Sequence, residues 1–294
     1  MIYDVSHRTR MRYAVPVSDA RFNLRLKPFP WPGLNISDAQ LTITPRPASC
    51  IERSGPYLVN TTSVEFTQRL VELEICSQFR AQVTPHEPQG EGPDIATLRD
   101  MALLSRDLST LSPAPYLFAS RLAVPDADIG NWAQSNATPG APVLAVAKEL
   151  SALIHSGFSY APGETSTRTP PREAFAARHG VCQDFAHILI IALRWLGIPS
   201  AYASGYLRTI PPPGKPRLVG ADAMHAWVNV WCGPDLGWVG IDPTNNRLAL
   251  SSHIQIAMGR DYADVAPIDG TFVGAAPQKM HSSVDVAPLE PAEI

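Results

Sequence analysis

The chain has 294 residues, a formal net charge of −3, 45% hydrophobic residues and 17% charged residues. This composition supports one large domain or two ordinary ones around a sizeable core. It excludes wholesale disorder and, lacking any basic stripe, gives no footprint for a nucleic-acid partner. Proline, at 29 residues, is about twice its usual share and predicts many fixed turns and few long helices.

The first element is an alternating stretch. Tyr3, Val5, His7, Thr9, Met11 and Tyr13 share one face, and Asp4, Ser6, Arg8, Arg10 and Arg12 share the other. Period two over that length predicts a half-buried strand. Its charges also exclude a secretory signal at this position, and no stretch reaches the roughly 18 apolar residues of a membrane helix. A cytoplasmic protein with no membrane partner is expected. In "AQLTITPRP", Leu41 and Ile43 alternate with Thr42 and Thr44. In "SVEFTQRLVELEICSQF", Val64 and Phe66 precede a turn near Gln68, after which Val71, Leu73 and Ile75 oppose Glu72 and Glu74. That pattern predicts a hairpin, and residues 1–85 read as an antiparallel β-sandwich-like domain.

"TPHEPQGEGPD", residues 84–94, is a Pro/Gly linker into a second domain, 86–264, where the period changes. Ile95, Leu98, Ala102 and Leu108 follow helical spacing. So do Val143, Val146, Ala147, Leu150, Leu153 and Ile154, with Pro142 suited to the first turn. "TRTPPREAFAARHG" predicts a short helix capped by Thr169, opened by Pro170 and stopped by Gly180. A helix from Cys182 to Trp195 follows, ended by Gly197 and Pro199. The period then returns to two: "SAYASGYL" is a strand, "PPPGKPRLVGAD" a loop, "MHAWVNVWC" a strand, "GPDLG" a turn and "WVGIDPT" a strand. The tail, 265–294, is Ala/Pro-rich and aperiodic and is expected to be loosely ordered in part. The fold class is therefore α+β.

The four cysteines, Cys50, Cys76, Cys182 and Cys232, form no CxxC pair. Neither a zinc site nor a disulfide framework is expected, and no metal or cofactor is called for. Free cysteines are ordinarily small buried hydrophobes. Cys182 differs by position, because unpaired backbone N–H groups at a helix start stabilise a thiolate and can also bind an oxyanion. A cysteine nucleophile needs a base, and the base needs an orienting group. His225 begins one strand and Asp242 ends the next, with a turn between them. An antiparallel hairpin brings such ends together. A lone histidine is more often a satisfied core residue, and Asp-Pro is a common turn starter, but the three groups in this order point to nucleophilic catalysis.

"GVCQDFAHILIIALRWLGIPSAYASGYL" followed by "HAWVNVWCGPDLGWVGIDPTN" resembles the core of the transglutaminase-like superfamily, and most closely its bacterial branch, whose members are provisionally described as cysteine proteases. The core resemblance covers about residues 140–250. The strands containing "RTRMRYAVPVSDARFNLRLKPFP" resemble the β-rich domain that precedes this core, although the usual Asp-x-Phe-Gly-Asn segment is present only as "SGPYLVN". The resemblance implies a papain-like core of helices plus an antiparallel sheet, and acyl transfer through a thioester. It carries the catalytic Cys, His and Asp onto Cys182, His225 and Asp242. Animal members also use an upstream Trp as an oxyanion donor and use calcium. No Trp stands at a comparable place here and no acidic loop suggests a calcium cage. Tyr160, otherwise a core aromatic, is the nearest candidate donor.

Around these, Asp184 either opposes the thiolate by like charge or caps the helix. Trp227, sharing a strand face with His225, Asn229 and Trp231, either lines an acyl groove or packs in the core. His187 and Cys232 read as packing residues. The expected function is cleavage of a peptide or protein amide by a peptidase or amidase. The alternatives are a protein-glutamine transglutaminase, an arylamine acetyltransferase-like enzyme (which would need a coenzyme A site) and a binding module with a vestigial triad.

Overall fold

The opening alternation is a single 23-residue strand, β1 (Ile2–Leu24), around which the first layer is built. The computed structural model describes residues 1–209, 222–274 and 277–289. After β1 come β2 (Leu34–Thr44), β3 (Ser49–Ser54), β4 (Asn60–Phe66) and β5 (Leu70–Val83). Residues 2–12 of β1 pair antiparallel with β5, and residues 20–24 pair with β4. β2 extends the first sheet from β5, and β3 extends the second from β4. The expected hairpin therefore does not form. β4 and β5 each pair with a different part of β1, because one long strand with an irregularity between Arg12 and Val17 serves two sheets. The same shift corrects the register of β5. Leu70, opposite Val17, points inward, while Val71 is 59% exposed instead of sharing a face with Leu73 and Ile75.

The polar face of β1 fixes its pairing as well. Asp4 stands opposite Arg80, Arg10 opposite Glu74 and Arg12 opposite Glu72, each pair linked by a hydrogen-bonded ion pair. Such exposed pairs are screened by solvent and stabilise little. They select register more than they stabilise.

The second layer runs α1 (Ile95–Leu103), α2 (Ala127–Asn136), α3 (Val143–Gly157), β6 (Ser159–Tyr160), α4 (Pro171–Ala177), β7 (His179–Gly180) and α5 (Cys182–Trp195). Then come β8 (Ser200–Leu207), β9 (Ala223–Trp231), β10 (Trp238–Asp242), β11 (Arg247–Leu248), β12 (His253–Gly259) and α6 (Tyr262–Val265). The strands form an antiparallel sheet in the order β11-β10-β9-β8-β12. The architecture is thus α+β. α5 is buried from Asp184 to Leu193, with apolar residues on every side. A helix that is apolar all round belongs inside a core, and its cluster includes residues of α2, α3, α4 and β9.

Several local expectations need correction. Leu108 lies beyond α1 and is fully exposed. Ser105 and Asp107 accept hydrogen bonds from the N–H groups of Asp107 and Ser109, a polar turn that competes with the helix. Pro142 caps α3 instead of occupying its first turn. Pro170, not Thr169, precedes α4, because the Thr169 hydroxyl accepts from the Ser166 N–H. Arg178, at φ 55°, ends that helix, and Gly180 lies in β7. The loop read at "PPPGKPRLVGAD" falls, except for Asp222, outside the described residues.

The tail differs most from expectation. β13 (Ile268–Val273) and β14 (Gln278–Pro288) pair antiparallel with β1, β13 beside its second half and β14 along residues 3–13. The edge of β1 left open by β5 and β4 needs hydrogen-bond partners. Val284 and Val286 supply buried side chains that the Ala/Pro-rich composition obscured. The two layers meet in one apolar cluster, where Tyr3, Val5, Phe79 and Val286 join Tyr206, Ile254 and Ile256. At this junction the His7 Nδ1 and the Tyr206 hydroxyl are hydrogen-bonded at 2.9 Å. Burial lowers the His7 pKa to about 4. Among the described residues no helix is long and apolar enough to cross a membrane.

A chain starting near residue 90 would bare Tyr206, Ile254 and Ile256 to water. At roughly 1.5–3 kcal/mol for each large apolar side chain, the expected outcome is aggregation or a lost cooperative transition by size-exclusion chromatography and calorimetry. A monodisperse fragment melting like the full chain would refute the docking.

Candidate active site

α5 starts at a cysteine. Val181 precedes it with extended φ and ψ, and Cys182 is its first residue. Val181 has no capping side chain, so the cap comes from within the helix. Asp184 Oδ2 accepts from the Val181 N–H at 2.8 Å and from the Thr165 hydroxyl at 2.7 Å. This is the helix-side half of a capping box. Asp184 is buried and turned back toward the entering chain. Gly180 serves this contact and not a positive-φ turn. A Cβ at residue 180 would lie 2.7 Å from Asp184 Oδ2 and 2.8 Å from its Cβ.

His225 and Asp242 converge from adjacent strands. β9 and β10 pair through Trp231 opposite Trp238 and Val228 opposite Ile241, so the end of β10 lies near the start of β9. His225 Nε2 is 2.9 Å from Asp242 Oδ2. An ionised carboxylate only accepts, so Nε2 carries the hydrogen. The remaining ring nitrogen, Nδ1, is left free for a nucleophile, and the Cys182 thiol stands close enough to the imidazole to raise its pKa. Burial pulls the His225 pKa down, but the hydrogen bonds to Asp242 and Cys182, with their charges, outweigh it and hold the value at about 9. Cys182 itself is half-buried.

Asp242 is fully buried and accepts five hydrogen bonds. Oδ2 takes His225 Nε2, His253 Nε2 at 3.0 Å and Asn245 Nδ2 at 2.7 Å. Oδ1 takes the N–H groups of Thr244 and Asn245 at 3.0 and 3.2 Å. The two readings of Asp-Pro are therefore both realised, one oxygen closing the turn and the other facing the imidazole. Burial alone would raise the carboxyl pKa, but the hydrogen bonds from His225 and His253 and the charge of His225 carry it well below the usual carboxylate range.

His253 and Asn245 were not anticipated from sequence. Asn245 lies in a turn, and His253 opens an edge strand 11 positions after Asp242, with no local pattern that marks either. Burial lowers the His253 pKa despite Asp242, which keeps the ring neutral as an Nε2–H donor. One ligand atom from each of His225, Asp242 and His253 lies within 4.8 Å of the other two, a donor set that could hold a cation. Both Nε2 nitrogens, however, direct their hydrogens at the carboxylate, and a metal would have to replace these bonds.

The remaining predicted residues separate by location. Tyr160 is 56% exposed and so is no core aromatic. It pairs with Gly180 in the β6–β7 ladder, which brings it beside the start of α5. Partial burial and the charge of Cys182 raise its pKa, leaving the hydroxyl a donor. Trp227 is buried, edge-on to His253 at 5.1 Å and tilted beside His225 at 6.3 Å. Trp231 joins the large cluster around α5. His187 is buried and its Nε2 accepts from the Tyr262 N–H. Cys232 is buried in its hairpin, which pushes its thiol up to about 12. Cys50 is exposed.

Comparison with known proteins places these residues in context. The model of the transglutaminase-like superfamily matches residues 131–243, and that of the bacterial transglutaminase-like N-terminal region matches residues 3–82. An uncharacterized protein of Mycobacterium tuberculosis is 34% identical over 294 residues, covering 98% of this chain and 93% of its own. One of Mycobacterium leprae is 32% identical over 222 residues, 74% of each chain. The crystal structure of a provisionally assigned cysteine protease from Cytophaga hutchinsonii superposes with a TM-score of 0.74. It shares 22% identity, covering 99% of this chain and 92% of the other.

Two outcomes are expected at this site. Asp242→Asn offers one oxygen to five donors, leaving at least one buried donor facing an amide NH2. Each unsatisfied donor costs about 1–3 kcal/mol, so the melting temperature should fall measurably. An unchanged melting curve would show that the donors re-pair at no cost. The pH dependence follows from His225. Its folded pKa of about 9 exceeds the ordinary histidine value of about 6.5, so the protonated ring contributes stability that is fully present below about pH 6.5 and is lost as pH rises through about 9. Calorimetry should find wild-type stability declining between pH 7 and 10, with a shallower decline in His225→Gln.

Proposed function

The chain belongs to the transglutaminase-like superfamily, and we propose that it is a Cys–His–Asp thiol enzyme that opens amide bonds through a thioester. The observation carrying this reading is the single His225 imidazole, held by the buried Asp242 carboxylate at 2.9 Å and close enough to the Cys182 thiol for that thiol to raise its pKa. Asp242 orients the ring and compensates its positive charge without taking its proton. Cys182, as thiolate, attacks the carbonyl carbon of a carboxamide and forms a C–S bond. Charge collects on the oxygen, where the orphan N–H at the start of α5 and the Tyr160 hydroxyl are the candidate donors. His225 gives its Nδ1 proton to the leaving nitrogen as the C–N bond breaks, leaving an acyl thioester and a free amine. Water then attacks the thioester while His225 removes its proton. The acid is released and the thiol is restored.

Water as the acceptor makes the enzyme a peptidase or amidase, a reading favoured by the provisional cysteine-protease assignment of the Cytophaga hutchinsonii protein that shares its fold. An amine in the second step would make it a transamidase. The partner in either case is an amide-bearing peptide or protein.

Alkylation rates test the thiol. Cys50 is the exposed cysteine and gives the background signal, so the measurement is made in Cys50→Ser. Iodoacetamide should label Cys182 fastest near neutral pH, and His225→Ala should slow that labelling at least about tenfold by removing the ion-pair partner. With p-nitrophenyl acetate, mass mapping should find the acetyl group on Cys182, and none in Cys182→Ala. If Cys182 proves no more reactive than buried Cys232, the thiol-enzyme reading fails and the binding-module reading takes its place.

A further inference from the structure

We propose that the cleft between the first β-layer and the open face of the core sheet is a binding site for an amide edge, either a carboxamide or an extended stretch of peptide. The cleft has a volume of about 570 Å³, within the range of sites that hold small ligands. Trp31 contributes from the first layer, Trp227 and Asn229 from β9, Trp238 from β10, and His253 and Gln255 from β12. Cys182 is not among its lining residues. The proposal stands on the cleft alone and does not depend on turnover.

The chemistry of the ligand follows from two side chains. Asn229 and Gln255 are only 1% and 6% exposed, yet both line the cleft. Asn229 Nδ2 donates to Gln255 Oε1 at 2.8 Å and lies 3.2 Å from the weak acceptor Met258 Sδ. Among the described residues, Asn229 Oδ1 and Gln255 Nε2 have no protein partner. One acceptor and one donor are therefore left over. This holds whichever way the two amides are turned, because reversing both only exchanges the roles. Gly240 keeps the space beside them clear. A Cβ there would lie 3.2 Å from Asn229 Oδ1, 3.3 Å from Trp227 Nε1 and 2.7 Å from Ala249 Cβ.

A neighbouring donor and acceptor complement a group that presents N–H and C=O on one side. A primary carboxamide does so along one edge, and an extended residue does so with its own N–H and C=O. An ester offers only the acceptor. The three indoles supply flat apolar walls for the substituents of such a ligand. A donor or acceptor that the ligand strips of water and leaves unmatched weakens binding, which is the basis for discrimination.

The test uses the full chain with Cys182→Ala, so that binding is read without chemistry, and follows intrinsic tryptophan fluorescence. Acetyl-alanine methylamide carries only main-chain amides and propionamide only the primary carboxamide, and the matched esters, O-acetyl-lactic acid methylamide and methyl propionate, keep the carbonyl and replace the adjoining N–H by oxygen. A saturable response to either amide, with the matched ester at least about tenfold weaker (~1.4 kcal/mol), is expected. Tighter binding of propionamide would assign a side-chain carboxamide, and tighter binding of the peptide a main chain. Gln255→Met should weaken the preferred amide about tenfold, while Leu108→Ala, at a fully exposed position outside the cleft, should leave it unchanged. Absence of saturation up to the solubility limit, or equal binding of amide and ester, would overturn the proposal. Because the amide-to-ester comparison is made without altering the cleft, it decides the question even if Gln255→Met fails to fold. Reactivity of Cys182 toward p-nitrophenyl acetate reports separately on the thiol chemistry.

Discussion

A carboxylate with no access to solvent has to be matched on every lone pair, and Asp242 is the point on which the rest of the site depends. Ionised burial without partners would cost several kcal/mol. Five hydrogen bonds offset that cost, and they come from places far apart in the chain: His225 at the start of β9, the turn Thr244–Asn245 and His253 at the start of β12. β10 and β12 lie on opposite sides of the β9–β8 pair in the sheet order. The carboxylate therefore ties together strand ends that the sheet ladder does not join. The same requirement that makes burial tolerable fixes the imidazole, because each donor removes a degree of freedom from the acceptor.

The second constraint is the position of α5. Its apolar residues need cover on all sides, so the helix is held in the core by α2, α3, α4 and the sheet. Its first residue nonetheless lies where solvent has partial access. Asp184 resolves the tension. By satisfying the Val181 N–H from inside the helix it caps α5 without occupying the space in front of Cys182. Gly180 is small because that carboxylate packs directly upon it. Rigid packing behind a thiol and free backbone donors beside it is the arrangement that electrostatic stabilisation of an oxyanion requires.

The first β-layer belongs to the same design. β1 is shared by two sheets, and both of its edges are paired because the end of the chain returns as β13 and β14. That layer packs on Tyr206, Ile254 and Ile256 of β8 and β12, and its Trp31 lines the cleft together with Trp227 and His253. His253 lines that cleft and also holds Asp242. Packing, recognition and the orientation of the imidazole thus share side chains.

Much of this was legible in the sequence, for local physical reasons. Period two placed Tyr3 to Tyr13 on one face of a strand. All-round apolarity bounded by Gly197 and Pro199 placed α5 between Cys182 and Trp195. The turn "GPDLG" fixed the pairing that brings His225 near Asp242. Where the reading failed, the deciding partner was distant. The alternation around Leu70 and Val71 was set by an irregularity in β1, and the strand pairing of β4 and β5 by a strand that can serve two sheets. The order in the tail came from an open edge some 270 residues earlier, which no composition reveals. His253 and Asn245 carry no sequence signal because their role consists in reaching one oxygen across the sheet. The sequence by itself determined the helix that begins at Cys182 and the strands that carry His225 and Asp242, because those depend on neighbours within a few residues. Only the tertiary structure decided which strands pair, which histidine shares the buried carboxylate and where the cleft lies, because burial and hydrogen bonding are settled by whatever the fold brings within about 3 Å.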